Sequence, residues 1–233
     1  MNTEEVQSGA SAGTYHHGDL PATLMDMALE KIAEEGTEKL SLRALAREAG
    51  VSPTAPYRHF PTKRCLLAAL ATRGFRRLQA INDSHDLDGA DLEESFVALG
   101  MGYIRFAQEN PTTYQIMFGT VIDDFSEYPD LTNAADESYA PVRTLIELIL
   151  AQHPDSDLSV DLLGGVTWSI VHGMASLLIF GKDKMRTGTD LHRGPVQAVM
   201  ALMVEPEKAL RTLVHGMLSE GPGALYGASH PAN

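Results

Sequence analysis

The chain has 233 residues and a formal net charge of −13 at pH 7, with 31 acidic against 18 basic side chains. This composition is that of an ordinary globular protein, and it excludes collagen-like, low-complexity and disulfide-rich classes. The single cysteine, Cys65, excludes an intrachain disulfide and favours a reducing compartment such as the cytoplasm. Residues 1–18 are polar and lack an apolar segment, so they predict a flexible arm and no signal peptide.

The first predicted helix runs from about Asp19 to Glu35. Aspartate is a preferred helix-capping residue, and Gly36 favours the end of a helix. Between them, apolar residues recur at helical spacing from Leu20 to Ile32.

Residues 40–61 have the pattern of two short helices joined by a tight turn. Ser41 is suited to cap the first of them, and Gly50 is suited to a left-handed turn that ends it. Ser52 is suited to cap the second, with Pro53 at its first position, where a missing N–H costs nothing. This layout predicts a helix-turn-helix.

The second of these helices is expected to end at Phe60, because a residue before proline disfavours helical backbone. Pro56 lies inside it and removes an N–H donor, so we expect a tightened or distorted first turn. The three helices together predict a small apolar core of Leu24, Ala28, Ile32, Leu42, Leu45, Val51, Tyr57 and Phe60.

Basic residues concentrate between Leu40 and Ala80, although the whole chain is acidic. Eight basic residues against one acid, Glu48, give this segment a charge of +7 and leave −20 for the remainder. The basic residues are Arg43, Arg47, Arg58, Lys63, Arg64, Arg73, Arg76 and Arg77. A basic block inside an acidic protein is typical of a nucleic-acid-binding surface.

The next predicted helix follows Thr62, which can cap it, and runs from Lys63 to about residue 81. Residues 82–90 (NDSHDLDGA) predict a linker. The domain boundaries that follow are a flexible arm at 1–18, a helix-turn-helix head at 19–81, a helical body at 91–220 and a loose tail at 221–233.

The body is predicted to be helical throughout, because no segment has strand periodicity. A helix begins at Asp91, which stands in capping-box spacing with Glu94, and an acidic loop occupies residues 119–134. The other predicted helices cover 111–118, about 134–152, about 158–181, 196–203 and 206–219. The fold class is therefore all-α, with a three-helix head and a larger helical body.

Residues 162–181 contain no charged side chain over a length that would span a bilayer. Polar residues and four glycines dilute this stretch, and nothing similar occurs elsewhere in the chain. A helix buried in the core and at a subunit contact is favoured over a membrane span.

Two sequence motifs resemble a known family. The stretch YHHGDLPATLMDMALEKIAEEG, followed by LSLRALAREAGVSPTAPYRHFPTK, resembles the DNA-binding domain of tetracycline-repressor (TetR) family transcriptional regulators over residues 15–81. WSIVHG at 168–173 resembles the WHG-type C-terminal domain of one branch of that family. The resemblance implies a DNA-binding head and a body that binds a ligand and dimerises.

The resemblance also implies roles for residues of the head. Ser52 caps the recognition helix, and Pro53, Thr54 and Ala55 after it map to positions that reach base edges. Arg43 maps to a position that can reach a base or a phosphate. Phosphate-binding positions map to Tyr57, His59 and Lys63, with Thr62 joining them through its cap; a core aromatic with a surface hydroxyl is the alternative for Tyr57.

For the body, the resemblance implies a homodimer that reads a palindromic double-stranded operator, paired through residues 158–181 and 206–219. Intramolecular core packing is the alternative for the apolar stripe of 206–219. It also implies a pocket for a small-molecule effector, with candidate lining residues Met101, Tyr103, Phe106, Tyr114, Met117, Phe118, Trp168, His172 and Met174. For His172, a hydrogen-bonded core histidine is the alternative.

The resulting hypothesis is a cytoplasmic transcriptional repressor released from its operator by a small molecule. The alternatives are a regulator or activator without ligand control, and an all-helical enzyme. The last is disfavoured because no acid–base pair, nucleophile–histidine pair or metal-ligand cluster stands at a spacing that catalysis needs. We expect no catalytic residue, metal, cofactor or membrane partner.

Overall fold

The computed structural model of this chain describes residues 19–85, 91–186 and 195–219. These segments contain nine α-helices and no strand, which confirms the all-α prediction. The helices are α1 (Leu20–Glu35), α2 (Leu42–Glu48), α3 (Lys63–Asp83), α4 (Leu92–Glu109), α5 (Pro111–Phe118), α6 (Pro129–Gln152), α7 (Val160–Arg186), α8 (Pro195–Val204) and α9 (Pro206–Ser219). Short 3-10 helices cover Thr37–Lys39, Pro56–Arg58 and Phe125–Glu127. The predicted arm at 1–18, most of the predicted linker and the tail from 221 lie outside the described residues.

The contacts of the chain divide it into two compact units, the first ending at Lys63 and the second beginning at Arg64. In the first unit, α1 contacts α2 and the 3-10 helix Pro56–Arg58. Asp19 caps α1 by accepting a hydrogen bond from the Ala22 N–H at 3.1 Å, and Gly36 ends it with a positive φ of 82°. These local signals confirm the predicted bounds of the first helix.

The second unit is built around α4, which contacts α5, α6, α7 and α9. Asp91 caps α4 by accepting hydrogen bonds from the N–H groups of Glu93 and Glu94. A Cβ on Gly100 would meet Leu210 Cδ2 at 2.6 Å, so glycine is what lets α4 and α9 approach this closely. α7 in turn contacts α6 and α8.

Two predicted segments of the second unit are wrong. Asn82 was assigned to a linker, but it lies in the last turn of α3 and is buried. The acidic loop was extended to residue 134, whereas α6 begins at Pro129, a residue whose fixed φ suits the first turn of a helix. Pro141 lies inside α6, where a proline has no N–H to donate to the preceding turn.

α7 is longer than predicted and ends at Arg186. Its span Val160–Asp183 is long and apolar enough to cross a membrane, with a mean hydropathy of 1.6 and 39% of the apolar window buried. Among the described residues no other helix passes this test. The core helix of a soluble protein also passes it, so a single such helix is weak evidence for a membrane span.

Candidate functional sites

The turn after α2 has the left-handed conformation that the sequence predicted. Gly50 has a φ of 69°, in the left-handed region, and the Val51 N–H donates to the Ala46 carbonyl at 2.9 Å. Ala46 is fully buried. Ser41 occupies the N-cap of α2, but its side chain makes no capping hydrogen bond.

The predicted second helix of the motif is not an α-helix. Residues 53–55 form turns, and the regular part is the 3-10 helix Pro56–Arg58. Backbone donors here reach three residues back, from Tyr57 N to Thr54 O at 3.3 Å and from Arg58 N to Ala55 O at 3.2 Å. Pro56 has no N–H for the bond to Ser52 that an α-helix would need, so the expected tightening extends through the whole segment.

This tightening changes which residues are buried. Pro56 is buried, whereas Tyr57 is 40% exposed and Val51 is only half-buried. The prediction that Tyr57 belongs to the core is therefore wrong; Leu24, Ala28, Ile32, Leu42, Leu45 and Phe60 are buried as predicted.

Most of the residues assigned to DNA contact lie on the surface of the first unit. Ala55 and Lys63 are half-buried, and the others are exposed: Arg43, Ser52, Pro53, Thr54, Tyr57, His59 and Thr62. The Ser52 and Thr54 hydroxyls lie 3.3 Å apart. The hydroxyl, imidazole and guanidinium groups of the exposed residues are therefore accessible to solvent.

Lys63 begins α3, and its Nζ donates to the Glu38 carbonyl at 3.2 Å. Since an ammonium group has three N–H donors, two remain for another acceptor. Glu48, the only acid of the basic segment, is 3.0 Å from Lys31 Nζ. Its negative charge is therefore already balanced within the first unit.

Two basic residues of α3 have partners in the second unit. Arg64 Nη2 donates to Asp123 Oδ2 at 2.6 Å, and Arg77 Nη1 donates to Asn110 Oδ1 at 2.8 Å. Arg64 is thus paired with an acid, whereas Arg77 bonds a neutral amide and keeps its uncompensated charge.

The second unit contains a cavity of about 490 Å³, a volume typical of small-molecule sites. Its wall comes from α3, α4, α5, α6 and α7. The lining residues are Phe75, Leu78, Asn82, Phe96, Leu99, Gly100, Tyr103, Phe118, Ala135, Ser138, Tyr139, Val142, Leu145, Asp161, Gly164, Gly165, Thr167, Trp168 and Val171.

Three of the nine residues predicted for a ligand pocket line this cavity: Tyr103, Phe118 and Trp168. Their rings also contact one another, with the Phe118 centroid 6.0 Å from Tyr103 and 6.1 Å from Trp168. The other six candidates are not among the lining residues: Met101, Phe106, Tyr114, Met117, His172 and Met174.

His172 is part of a hydrogen-bonded group beside the cavity wall. Its Nδ1 lies 2.8 Å from the Tyr114 hydroxyl and 3.0 Å from the Tyr103 hydroxyl. Burial lowers the pKa of His172 and raises the pKa of both tyrosines, so all three groups are neutral at pH 7. The imidazole therefore has the hydrogen-bonded core environment that we weighed against ligand contact.

The wall residues supplied by α3 and α6 were missed. Phe75, Leu78 and Asn82 stand at i, i+3 and i+7, so they share one face of α3. That spacing could have extended the predicted helix to Asn82 and flagged a polar group on an apolar face. α6 lies some 60 residues further along the chain, and no local pattern pairs it with α3.

Two family models match the chain. "Bacterial regulatory proteins, tetR family" matches residues 24–70, and "Tetracyclin repressor-like, C-terminal domain" matches residues 96–203. The first covers α2 and the turn after it, and the second contains the cavity-lining residues of α4–α7.

Individual proteins show the same similarity. The HTH-type transcriptional regulator YobS of Bacillus subtilis, whose name marks it as uncharacterized, is 30% identical over 106 residues, 45% of this chain and 54% of that protein. The class A tetracycline repressor protein from transposon 1721 of Escherichia coli is 39% identical over 71 residues, 30% of this chain and 31% of that protein. The chain spans about half the length of the curated relatives it matches, or less.

A solved structure extends the likeness over most of the chain. A protein of unknown function from Rhodococcus sp. RHA1 superposes with a TM-score of 0.63 at 28% identity, covering 85% of this chain and 97% of that one.

Proposed function

Because the chain belongs to the tetracycline-repressor family of transcriptional regulators, we propose that it is a cytoplasmic repressor released from its operator by a small molecule. The observation that carries this proposal is the combination of an exposed polar and basic surface in the first unit with a drug-sized apolar cavity in the second. Family and fold are those of transcriptional regulators, which are generally not enzymes.

The first unit supplies two kinds of proposed DNA contact. Lys63, Tyr57 and His59 offer one ammonium, one hydroxyl and one imidazole to phosphate oxygens, which position the protein on the duplex. Arg43 and Thr54 offer a guanidinium for a guanine edge and a hydroxyl for a base edge. Because Thr54 is short and residues 53–55 lie outside any regular helix, we assign most of the affinity to the phosphate contacts.

A second copy of the chain is the proposed partner of α7 and α9. Exposed apolar side chains on these helices include Leu177 and Phe180 of α7 and Leu213 of α9, each between 44% and 50% exposed. Gly173 and Gly216 have no heavy atom within 4 Å of a built Cβ, which leaves room for close approach by another chain. Pairing also doubles the number of base pairs read, which a single helix-turn-helix needs for specificity.

Release is proposed to act through α3. This helix begins with Lys63, a proposed phosphate contact, and its later turns place Phe75, Leu78 and Asn82 in the cavity wall. A ligand that binds more tightly to one position of α3 than to another shifts the population toward that position. A hundredfold loss of DNA affinity would require a coupling free energy of about 2.7 kcal/mol.

The test is fluorescence anisotropy of the full chain on the DNA upstream of its own gene, as a function of salt. Lys63→Ala removes one phosphate contact from each subunit of the proposed dimer, so it should weaken binding and reduce the slope of log affinity against log salt by about two. Tyr57→Phe should weaken binding by about five- to hundredfold through loss of one hydrogen bond in each subunit. Lys208→Ala is the matched control, because this lysine of α9 is exposed, pairs with Glu205 and lies outside the head. Since α9 is also a proposed contact with a second copy, sedimentation must show that this variant pairs like the unchanged protein.

Equal affinity for the upstream DNA and a scrambled duplex would contradict regulation of its own gene. Equal loss from Lys63→Ala and Lys208→Ala would show that the head surface is not the DNA-binding site. Sedimentation of the protein with and without Leu177→Asp tests the proposed pairing; a monomer at micromolar concentration would contradict it.

A further inference from the structure

Asn82 is a buried polar side chain in the wall of the cavity. It is 4% exposed and lies in the last turn of α3. Its Nδ2 donates to the Ser138 carbonyl of α6 at 2.9 Å. Its Oδ1 is buried and accepts no hydrogen bond from any residue that the structure describes.

The orientation of this amide follows from its partner. The Ser138 carbonyl can only accept, so the nitrogen of the Asn82 amide must face it and the oxygen must face away. A buried carbonyl oxygen without a donor costs about 1–3 kcal/mol, which is why such atoms are rare in native proteins. An unsatisfied acceptor in a cavity wall is therefore a binding feature for a molecule that carries a donor.

Three other polar side chains of the wall make hydrogen bonds within the second unit. Ser138 Oγ donates to the Ala135 carbonyl at 2.8 Å, and Thr167 Oγ1 donates to the Leu163 carbonyl at 2.8 Å. The Tyr103 hydroxyl belongs to the group with Tyr114 and His172. Asn82 Oδ1 differs from these hydroxyls because it is a buried oxygen that makes no hydrogen bond with any described residue.

The charges of the residues around the cavity further limit the class of ligand. Among the residues that the structure describes, no lysine, arginine or histidine lines the cavity, so a buried carboxylate or phosphate would have no cation beside it. Asp161 is the one lining carboxylate; its side chain is 86% exposed and accepts from Arg143 Nη1 at 3.2 Å. A cation placed deep at Asn82 would likewise lack a buried counter-ion.

We propose that this cavity binds a neutral, largely apolar molecule whose hydroxyl or N–H group donates a hydrogen bond to Asn82 Oδ1. The proposal rests on the proposed function, because it names the chemical class of the effector. It goes further by excluding carboxylates and phosphates as ligands and by assigning the polar contact to a residue of α3.

The test uses four compact probes that share one skeleton: adamantanol, methoxyadamantane, adamantylammonium and adamantane carboxylate. Binding to the full chain at pH 7 is followed by intrinsic fluorescence, because Trp168 is the single tryptophan of the sequence and lines the cavity. The skeleton does not absorb where tryptophan is excited, so each probe is read by its effect on Trp168 alone.

The alcohol should bind about three- to tenfold more tightly than the methyl ether, the range expected of one net hydrogen bond. The carboxylate and the ammonium ion should bind more than tenfold more weakly than the alcohol. Asn82→Leu should abolish the preference for alcohol over ether. Since that variant also loses the hydrogen bond to the Ser138 carbonyl, its fold is checked by circular dichroism. If the variant does not fold, the comparison of the four probes on the unchanged protein still tests the proposal.

Equal affinity of alcohol and ether, tightest binding of either ion, or no saturable binding of any probe would overturn the proposal. These results are separable from failure of the proposed function, because they need no DNA. Alcohol-selective binding without operator binding would support the proposed ligand class and contradict the proposed regulatory function. Operator binding without alcohol selectivity would support the regulatory function and contradict the ligand class.

Discussion

Two neighbouring glycines of α7 give a sharp test of the cavity wall. A Cβ added to Gly164 would collide with the Tyr139 hydroxyl and lie 3.3 Å from Tyr139 Cζ and 3.6 Å from Ile146 Cδ1. A Cβ added to Gly165 would meet no heavy atom within 4 Å. Both residues lie in the same helix, so the two alanine variants differ chiefly in what the new methyl group touches.

The magnitudes follow from two opposing effects. Replacing glycine by alanine inside a helix stabilises it by about 0.5–1 kcal/mol, because the unfolded chain loses conformational freedom. Overpacking a filled site costs about 1–3 kcal/mol. Gly165→Ala should therefore raise the free energy of unfolding, and Gly164→Ala should fall about 1–3 kcal/mol below it, since the helix contribution cancels in the difference.

The assay is urea unfolding followed by far-UV circular dichroism, with the midpoint and the slope compared between the two variants. α7 is also a proposed contact with a second copy, so the measurement is repeated at a tenfold higher protein concentration to separate association from folding. Two variants that unfold within about 0.5 kcal/mol of each other would refute the packing of Tyr139 against Gly164 described above.

Two further predictions concern the titration of the half-buried His172 and the left-handed turn at Gly50. Burial lowers the pKa of His172 below its ordinary value of 6.5, so in mild acid the unfolded chain binds more protons than the folded chain. The neutral imidazole therefore contributes its full stabilisation above about pH 6.5. That stabilisation is lost as pH falls through the lowered pKa. Urea midpoints between pH 5 and 8 should therefore fall more steeply toward acid for the unchanged protein than for His172→Gln, and parallel curves would contradict this. Gly50→Ala should destabilise the protein by about 1–2 kcal/mol, because φ is 69° there and no neighbouring atom obstructs a methyl group. Gly50→Asn should cost less, since asparagine tolerates the left-handed region, and equal thermal midpoints for the two variants would argue against backbone strain as the cause.

The bounds of most helices could be predicted because the residues that start and stop a helix act over a few positions. Asp19 and Asp91 accept from N–H groups two to three residues away, and Gly36 supplies the backbone angle that ends α1. The same locality made the tightened segment at Pro56 foreseeable, although it proved to be 3-10 rather than a distorted α-helix.

Burial was less predictable than helix position. The side chain of Tyr57 was assigned to the core from its spacing, but a 3-10 turn rotates successive side chains differently from an α-helix and leaves Pro56 inside. The apolar pattern was correct for α1 and α2, where the helices are regular, and it failed where the period changed.

The sequence by itself determined the helical class, the caps and turns, and the family, because these depend on residues close together in the chain. Only the tertiary structure decided which side chains meet across long separations. It joins His172 to Tyr103 over 69 residues and Asn82 to the Ser138 carbonyl over 56 residues. The cavity lies between helices that no local pattern pairs, so its shape, its lack of a basic group and its unused acceptor appear only when α3 packs against α6.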